Sequence, residues 1–122
     1  MAEVSRSPED VIHAIEEFGR LQAGWNSYRA PAISTTAINM AIDVVHATAR
    51  RGAPMPSAAP TPQGGIALTW YLPRMEVQLL VDDESLDYSV AQPGTPKVID
   101  HGGIATPRDV ERQLIERYLL TA

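Results

Sequence analysis

The sequence predicts an α+β domain of two layers, in which three helices pack on one face of an antiparallel sheet. In three segments, apolar residues recur every three or four positions, which is the spacing of an amphipathic helix. In residues 66–91, apolar and polar residues instead alternate, which is typical of strands with one buried face. The predicted order is helix, helix, three strands, helix, with the helices covering the apolar side of the sheet.

Composition narrows the chemistry that such a domain can perform. The chain has 122 residues, 44% of them hydrophobic, which suits a single domain over residues 1–122 with one core. It has no cysteine, so disulfides and cysteine-ligated metal sites are excluded. The net charge of −5 repels the phosphates of nucleic acids, so direct binding to DNA or RNA is disfavoured.

The first part of the chain predicts a helical hairpin over residues 8–51, whose first helix is expected at residues 8–22. Ser7 is a favourable N-cap and Pro8 a favourable first helical residue, and Gly24 is expected to stop the helix. The apolar stripe of this helix consists of Val11, Ile12, Ile15, Phe18 and Leu21.

A loop and a second helix complete the predicted hairpin. The loop is expected to be ordered by its two aromatic residues, Trp25 and Tyr28. Ser34 is the predicted N-cap of a helix over residues 35–51, which ends before Gly52. Its apolar face consists of Ile38, Ala41, Ile42, Val44, Val45 and Ala49.

The proline-rich segment at residues 52–65 is predicted to be an extended connector between the two layers. Four prolines fall within residues 54–62. Proline lacks the N–H donor that helices and sheet ladders need, so neither structure is expected here. A ligand for a proline-binding domain is a second, less favoured interpretation of the same composition.

The alternating segment at residues 66–91 predicts a meander of three strands joined by short turns. Strands are expected at residues 66–71, 75–81 and 86–91. The alternation places Trp70 in the core with Ile66 and Leu68, and it places Tyr71 on the opposite face of the sheet. The turn at residues 82–85 is acidic.

The remaining residues predict a loop followed by a helix. Residues 92–105 are rich in proline and glycine and are expected to be loop, with residues 97–100 open to interpretation as a fourth, edge strand. The last helix is predicted at residues 107–120. Its apolar stripe consists of Val110, Leu114, Ile115 and Tyr118.

Two segments carry a resemblance to known proteins. One contains Gly24-Trp25-Asn26-Ser27-Tyr28, and the other enters the first strand through Gly64-Gly65-Ile66. Together they resemble a family of small uncharacterised bacterial and phage proteins with a Gly-Trp-Asp/Asn loop and a Pro-x-x-Gly-Gly-Ile strand entry. The family often has proline at Thr35 and an acid at Thr69, so the match is incomplete. The resemblance implies a bacterial or phage origin and transfers no catalytic residue.

Catalytic and metal-binding motifs are missing from the sequence. No two of His13, His46 and His101 have the i, i+4 spacing of a helical metal pair, and no phosphate-binding loop or nucleophile elbow is present. We therefore predict no catalytic residue, no bound metal and no cofactor. The segment from Asp100 to Gly103 is expected to be a polar loop, with a small ligand or enzyme site around His101 as the less favoured alternative.

The face of the sheet that the helices leave uncovered is the predicted binding surface. It combines exposed apolar side chains with the acidic turn, and such surfaces suit protein partners. The residues predicted to contact a partner are Tyr71, Glu76, Gln78, Leu80, Asp82, Asp83, Glu84 and Asp87. A charged, solvated hairpin is favoured over a cation site for the acids, because the alternating pattern of a calcium loop is missing.

Three functional hypotheses remain open at this point. The favoured one is a small acidic protein-binding regulator or inhibitor, antitoxin-like or anti-defence, whose partner is basic or a nucleoprotein complex. The second is a self-associating accessory or structural protein, a homodimer paired through an edge strand at residues 87–91 or 97–100. The third is a small enzyme or ligand-binding domain around His101.

The expected location follows from what the sequence lacks. Residues 1–6 have no signal-peptide pattern, and no segment approaches the roughly 18 apolar residues of a membrane span. We therefore expect a cytoplasmic protein of a bacterium or of a phage-infected host, with no membrane partner.

Overall fold

The helices of this chain cover one face of a five-stranded antiparallel sheet. A computed structural model describes residues 7–26, 30–95 and 97–120. The helices of the hairpin are α1 (Pro8–Phe18) and α2 (Thr35–Arg50). The strands are β1 (Ser57–Pro60), β2 (Ile66–Tyr71), β3 (Glu76–Val81), β4 (Leu86–Ala91) and β5 (Val98–Ile104). The α+β class and the antiparallel sheet are confirmed, whereas the predicted count of three or four strands is wrong.

The strands lie side by side in chain order, so the sheet is a simple meander with β3 at its centre. Neighbouring strands are antiparallel, and Leu68 of β2 is opposite Leu79 of β3, which is opposite Tyr88 of β4. All three side chains point to the helices and are buried. Trp70 is also fully buried, and its indole Nε1 donates to the Pro54 carbonyl oxygen at 2.9 Å. The prediction that Trp70 belongs to the core is confirmed.

The proline-rich connector predicted at residues 52–65 contains β1, so the expectation that no strand forms there is wrong. The Thr61 N–H donates to the Gly65 carbonyl at 2.9 Å, and hydrogen-bonded pairs alternate along antiparallel strands. By this alternation Ala59 is hydrogen-bonded to β2, and the nitrogen of Pro60 faces away from β2. Proline is tolerated there because β1 is an edge strand that bonds on one side.

The glycine-rich stretch before the last helix is the strand β5, not a loop, and the alternative of an edge strand at residues 97–100 covers only its start. It pairs with β4, and a bulge between Val90 and Ala91 shifts the register near its start. Gly102 is opposite Tyr88, where a Cβ atom would come within 3.2 Å of the tyrosine ring. Because β5 pairs with β4, residues 87–91 do not lie at an edge of the sheet. The hypothesis of a homodimer paired through residues 87–91 is therefore wrong.

The first helix begins as predicted and ends early. Ser7 and Asp10 form a reciprocal capping box at its start. The helix stops at Phe18 rather than near residue 22, and Gly19 is its C-cap. A Cβ atom on Gly19 would come within 3.0 Å of Ile38 Cδ1, so glycine permits the close approach of α2 there. The prediction for Tyr28 lies outside the described residues.

The second helix is the central element of the helical layer. Ser34 Oγ caps it by accepting from the Ala37 N–H at 3.2 Å, as predicted. It packs on β2 and β3 and has α1 on one side and the C-terminal segment on the other. This crowding buries even Thr48, whose hydroxyl donates to the Val44 carbonyl at 2.8 Å.

The C-terminal helix has an unusual form. A 3₁₀ turn (Pro107–Asp109) leads into a π-helix (Glu111–Leu119), in which the Leu120 N–H donates to the Ile115 carbonyl at 2.9 Å. A π-helix has more residues per turn than an α-helix, so residues four and five apart share a face. The side chains that it buries have this spacing: Val110, Leu114, Ile115 and Leu119.

The alternation along β3 allows a direct test of the fold. Leu79 is fully buried, whereas its neighbour Leu80 is 44% exposed on the opposite face. We expect Leu79→Ala to lower the free energy of unfolding by about 2–5 kcal/mol and Leu80→Ala by less than about 0.5 kcal/mol. Urea denaturation of both variants measures the difference, and equal losses would contradict the open face.

Candidate docking face

The sheet face opposite the helices, here called the outer face, consists of three rows of residues that run across the strands. The acidic-end row, from β1 to β5, is Ala59, Ala67, Leu80, Asp87 and Gly103. The middle row is Ser57, Thr69, Gln78, Ser89 and His101. The aromatic-end row is Tyr71, Glu76, Ala91 and Val98. Half of these side chains are threonine or smaller, so few of them project far from the sheet.

The outer face exposes a few large apolar side chains. Tyr71 is 64% exposed and Leu80 is 44% exposed, as the alternation predicted. The structure adds two residues that sequence reasoning did not include in the site, Val98 at 50% and Ile99 at 55% exposure. Val98 is opposite Ala91, so it extends the aromatic end of the outer face to β5.

The acidic turn at residues 82–85 closes one end of the face, and one of its carboxylates is structural. Asp82 Oδ1 accepts from the backbone N–H groups of Glu84 at 3.0 Å and Ser85 at 2.9 Å, and from the Ser85 hydroxyl at 2.9 Å. The Glu84 N–H and the Ser85 groups hold the pKa of Asp82 below its usual value. Asp82 therefore shapes the turn, while Asp83 and Glu84 are exposed.

A cleft lies beside the acidic turn. It has a volume of about 350 Å³ and lies between the turn, the Gln63-Gly64 turn and the start of α2. The Ser34 N–H donates to the Gly64 carbonyl at 2.9 Å, which joins the start of α2 to the β1–β2 turn. A Cβ atom on Gly65 would come within 2.3 Å of the Val81 carbonyl oxygen, so glycine permits this close approach to the end of β3.

The predicted contact residues fall into two groups. Leu80, Asp82, Asp83, Glu84 and Asp87 lie at the acidic end, and Tyr71 and Glu76 lie at the aromatic end, with Gln78 between them. The acidic-end and aromatic-end rows are four residues, or about 13 Å, apart along a strand. A partner must therefore span most of the sheet to touch both groups.

Charge is distributed unevenly over the molecule. None of the residues in the five described strands is Lys or Arg, whereas Glu76, Asp87 and Asp100 are acidic. The described basic residues lie on the helices, in the turns or just before β5, where Arg74 and Lys97 adjoin the aromatic end. The outer face and its acidic turn therefore present mainly negative charge.

No protein-family model, curated protein or solved structure matches this chain. The resemblance to small bacterial and phage proteins therefore stays a prediction. Two contacts of described residues explain parts of the two motifs that carry this resemblance. Trp25 Nε1 donates to the Pro31 carbonyl at 3.0 Å, and Gly65 fits against the β3 backbone.

The alternative site around His101 is not assembled by the fold. Asp100 and His101 are adjacent residues of a strand, so their side chains point to opposite faces of the sheet. His101 is exposed in the middle row of the outer face. Among the described residues, no group of three or more His, Asp or Glu side chains is arranged to hold a metal ion.

Asp100 instead joins β5 to the C-terminal helix. Its Oδ2 atom accepts from the hydroxyl groups of Tyr118 and Tyr88, the latter at 3.1 Å, and lies 3.6 Å from the Arg117 guanidinium. The Tyr118 hydrogen bond is the largest cause that lowers the pKa of Asp100, and Tyr88 and Arg117 add to it. The same bond raises the pKa of Tyr118, and burial raises that of Tyr88.

Two further features of the described residues are the length of their helices and a cleft beside α2. In residues 7–26, 30–95 and 97–120, no helix has the length and apolar character needed to cross a bilayer. A cleft of about 800 Å³ separates α2 from the C-terminal segment. Its lining includes two acids, Asp43 and Glu111, and two bases, Arg50 and Arg108, and Arg50 is paired with Glu111 at 3.3 Å.

The Asp100 contacts predict a pH dependence of stability. Because the folded state lowers the pKa of this carboxyl, its contribution is present above about pH 4 and is lost as the pH falls through the lowered value. We expect the unfolding free energy of Asp100→Asn to fall less steeply between pH 4 and pH 2 than that of the wild type. Urea denaturation at each pH measures both slopes. Tyr118→Phe should flatten the wild-type slope in part, and parallel slopes for all three proteins would refute the assignment.

Proposed function

We propose that this chain is a small protein-binding regulator or inhibitor, antitoxin-like or anti-defence, whose outer face docks on a basic surface of a macromolecular partner. The observation that carries the proposal is an open sheet face with exposed Tyr71 and Leu80 and no Lys or Arg in its strands. Large uncovered apolar side chains mark protein-binding surfaces, and charges at the rim of such a surface steer the encounter with a partner.

Electrostatics supports a basic partner. Asp83, Glu84 and Asp87 are exposed at one end of the face. A concentrated charge of one sign speeds the encounter with a surface of the opposite sign, while the apolar contacts slow dissociation. Tyr71 is the best candidate for an anchor, because tyrosine is enriched among residues that dominate binding energy.

Arguments from the described residues favour this proposal over the two alternatives. Enzyme chemistry around His101 lacks an oriented partner, since the Asp100 carboxylate lies on the other side of the sheet with Tyr88 and Tyr118. Pairing through an edge at residues 97–100 is hindered by the bulge at the start of β5.

Reversal of charge at the acidic end tests the electrostatic part of the proposal. Asp83→Lys combined with Glu84→Lys leaves the structural Asp82 in place, so the turn is expected to keep its shape. We expect the association rate with a captured partner to fall at least about tenfold at low ionic strength, and the difference to shrink as salt is added. Surface plasmon resonance measures this rate, and Glu16→Lys, on the exposed side of α1, is the matched control.

Tyr71→Asp tests the apolar part of the proposal. Affinity capture from the native cell or an infected host is run in parallel with the wild type, Tyr71→Asp and Glu16→Lys. A specific partner should be retained by the wild type and Glu16→Lys and lost with Tyr71→Asp. If every captured protein is retained equally by all three, the outer face is not the docking surface.

A further inference from the structure

We propose that the outer face also binds a second copy of the same chain, face to face, in a reversible twofold dimer. This inference rests on the proposed function, because it takes the same face to be a docking surface, and it names one occupant. Three features support it: the charges at the two ends of the face, the sizes of the side chains in its rows, and the blunted edges of the sheet.

The turns at the two ends of the outer face carry opposite charge, although Glu76 in the aromatic-end row is itself acidic. The turn with Asp83 and Glu84 lies at the acidic end, whereas Arg74 and Lys97 lie in the turns at the aromatic end. A twofold axis between two such faces, parallel to the middle row, places the acidic end of one copy over the aromatic end of the other. The acidic turn of one copy, which joins β3 to β4, then lies between two turns of the other copy, the one with Arg74 and the one with Lys97.

On β2, β4 and β5 the same operation places a larger side chain over a smaller one, whereas on β3 it places Glu76 over Leu80. Tyr71 and Ala67 are the end residues of the outer face on β2, so Tyr71 of one copy faces Ala67 of its partner. On β5, Val98 in the same way faces Gly103. Facing sheets pack with their strands within about 30° of each other, which keeps these pairs in register only approximately.

The edges of the sheet favour a face contact over strand addition. Edge β1 is four residues long and ends at Pro60. Edge β5 has a bulge near its start and the charged Asp100 turned toward the helical side. Short strands, proline, bulges and inward-pointing charges are the features that prevent pairing through sheet edges.

The size of the face sets the expected affinity. Five strands of four to seven residues, spaced about 4.8 Å apart, give a surface of roughly 24 by 20 Å. That area is at the low end of specific interfaces, so we expect a dissociation constant of about 10–500 μM. A dimer of this strength leaves the face available to a tighter partner.

Analytical ultracentrifugation of the full chain from about 10 μM to 1 mM tests the proposal over the expected range of dissociation constants. The wild type and the Glu16→Lys control should show a concentration-dependent monomer–dimer equilibrium. Tyr71→Asp should raise the dissociation constant at least about tenfold, since it puts a charge against the partner sheet. Circular dichroism checks that each variant is folded.

A charge-swap series separates this dimer from any other. Asp83→Lys with Glu84→Lys should weaken the dimer, and so should Arg74→Glu with Lys97→Glu. All four substitutions in one chain restore opposite charge between the ends and should return the dissociation constant toward the wild-type value.

Two results would overturn the inference. One is a strict monomer at 1 mM, a concentration above the whole range expected for a small interface of about this size. The other is a dimer that is indifferent to Tyr71→Asp and to the charge-swap series. Neither outcome removes the proposed function, because a monomer that loses its captured partner upon Tyr71→Asp still docks through the outer face.

Discussion

Side chains of a strand alternate between the two faces of a sheet, and the described helices of this chain cover one face alone. The rest of the structure depends on that constraint. Trp70 and Tyr71 are neighbours in sequence, yet one is fully buried under the helices and the other is 64% exposed. The central helix α2 buries the apolar face of β2 and β3. All the exposed chemistry of the sheet is thereby concentrated on its other side.

The sequence predicted those parts of the fold that depend on local periodicity. The caps of α1 and α2 and the alternation of β2, β3 and β4 can be deduced from residues near each other in the chain. The strand β1 was missed, and β5 was predicted only as an alternative at residues 97–100, because their signals are ambiguous without a neighbour. Pro60 argues against a strand only if both of its sides are bonded, and Gly102 looks like a loop residue until Tyr88 is placed across from it.

The candidate site was also predictable in part. The exposure of Tyr71, Leu80 and the acidic residues follows from alternation and turn composition. The roles of individual acids do not, because Asp82 differs from Asp83 in the hydrogen bonds that its carboxylate accepts from the backbone of Glu84 and from the backbone and hydroxyl of Ser85. Val98 joins the face through its register with β4, and a bulge sets that register. No signal in the local sequence reports such a shift.

The blunted edges of the sheet have a consequence for how copies of this chain can assemble. A sheet with free, straight edges grows by adding strands without limit, and the product is a fibre. Here Pro60 limits one edge, and the bulge and Asp100 limit the other. A twofold contact uses the same surface once on each copy and leaves nothing to propagate. The proposed face-to-face contact would therefore form closed pairs, and crowding is expected to produce pairs rather than polymers.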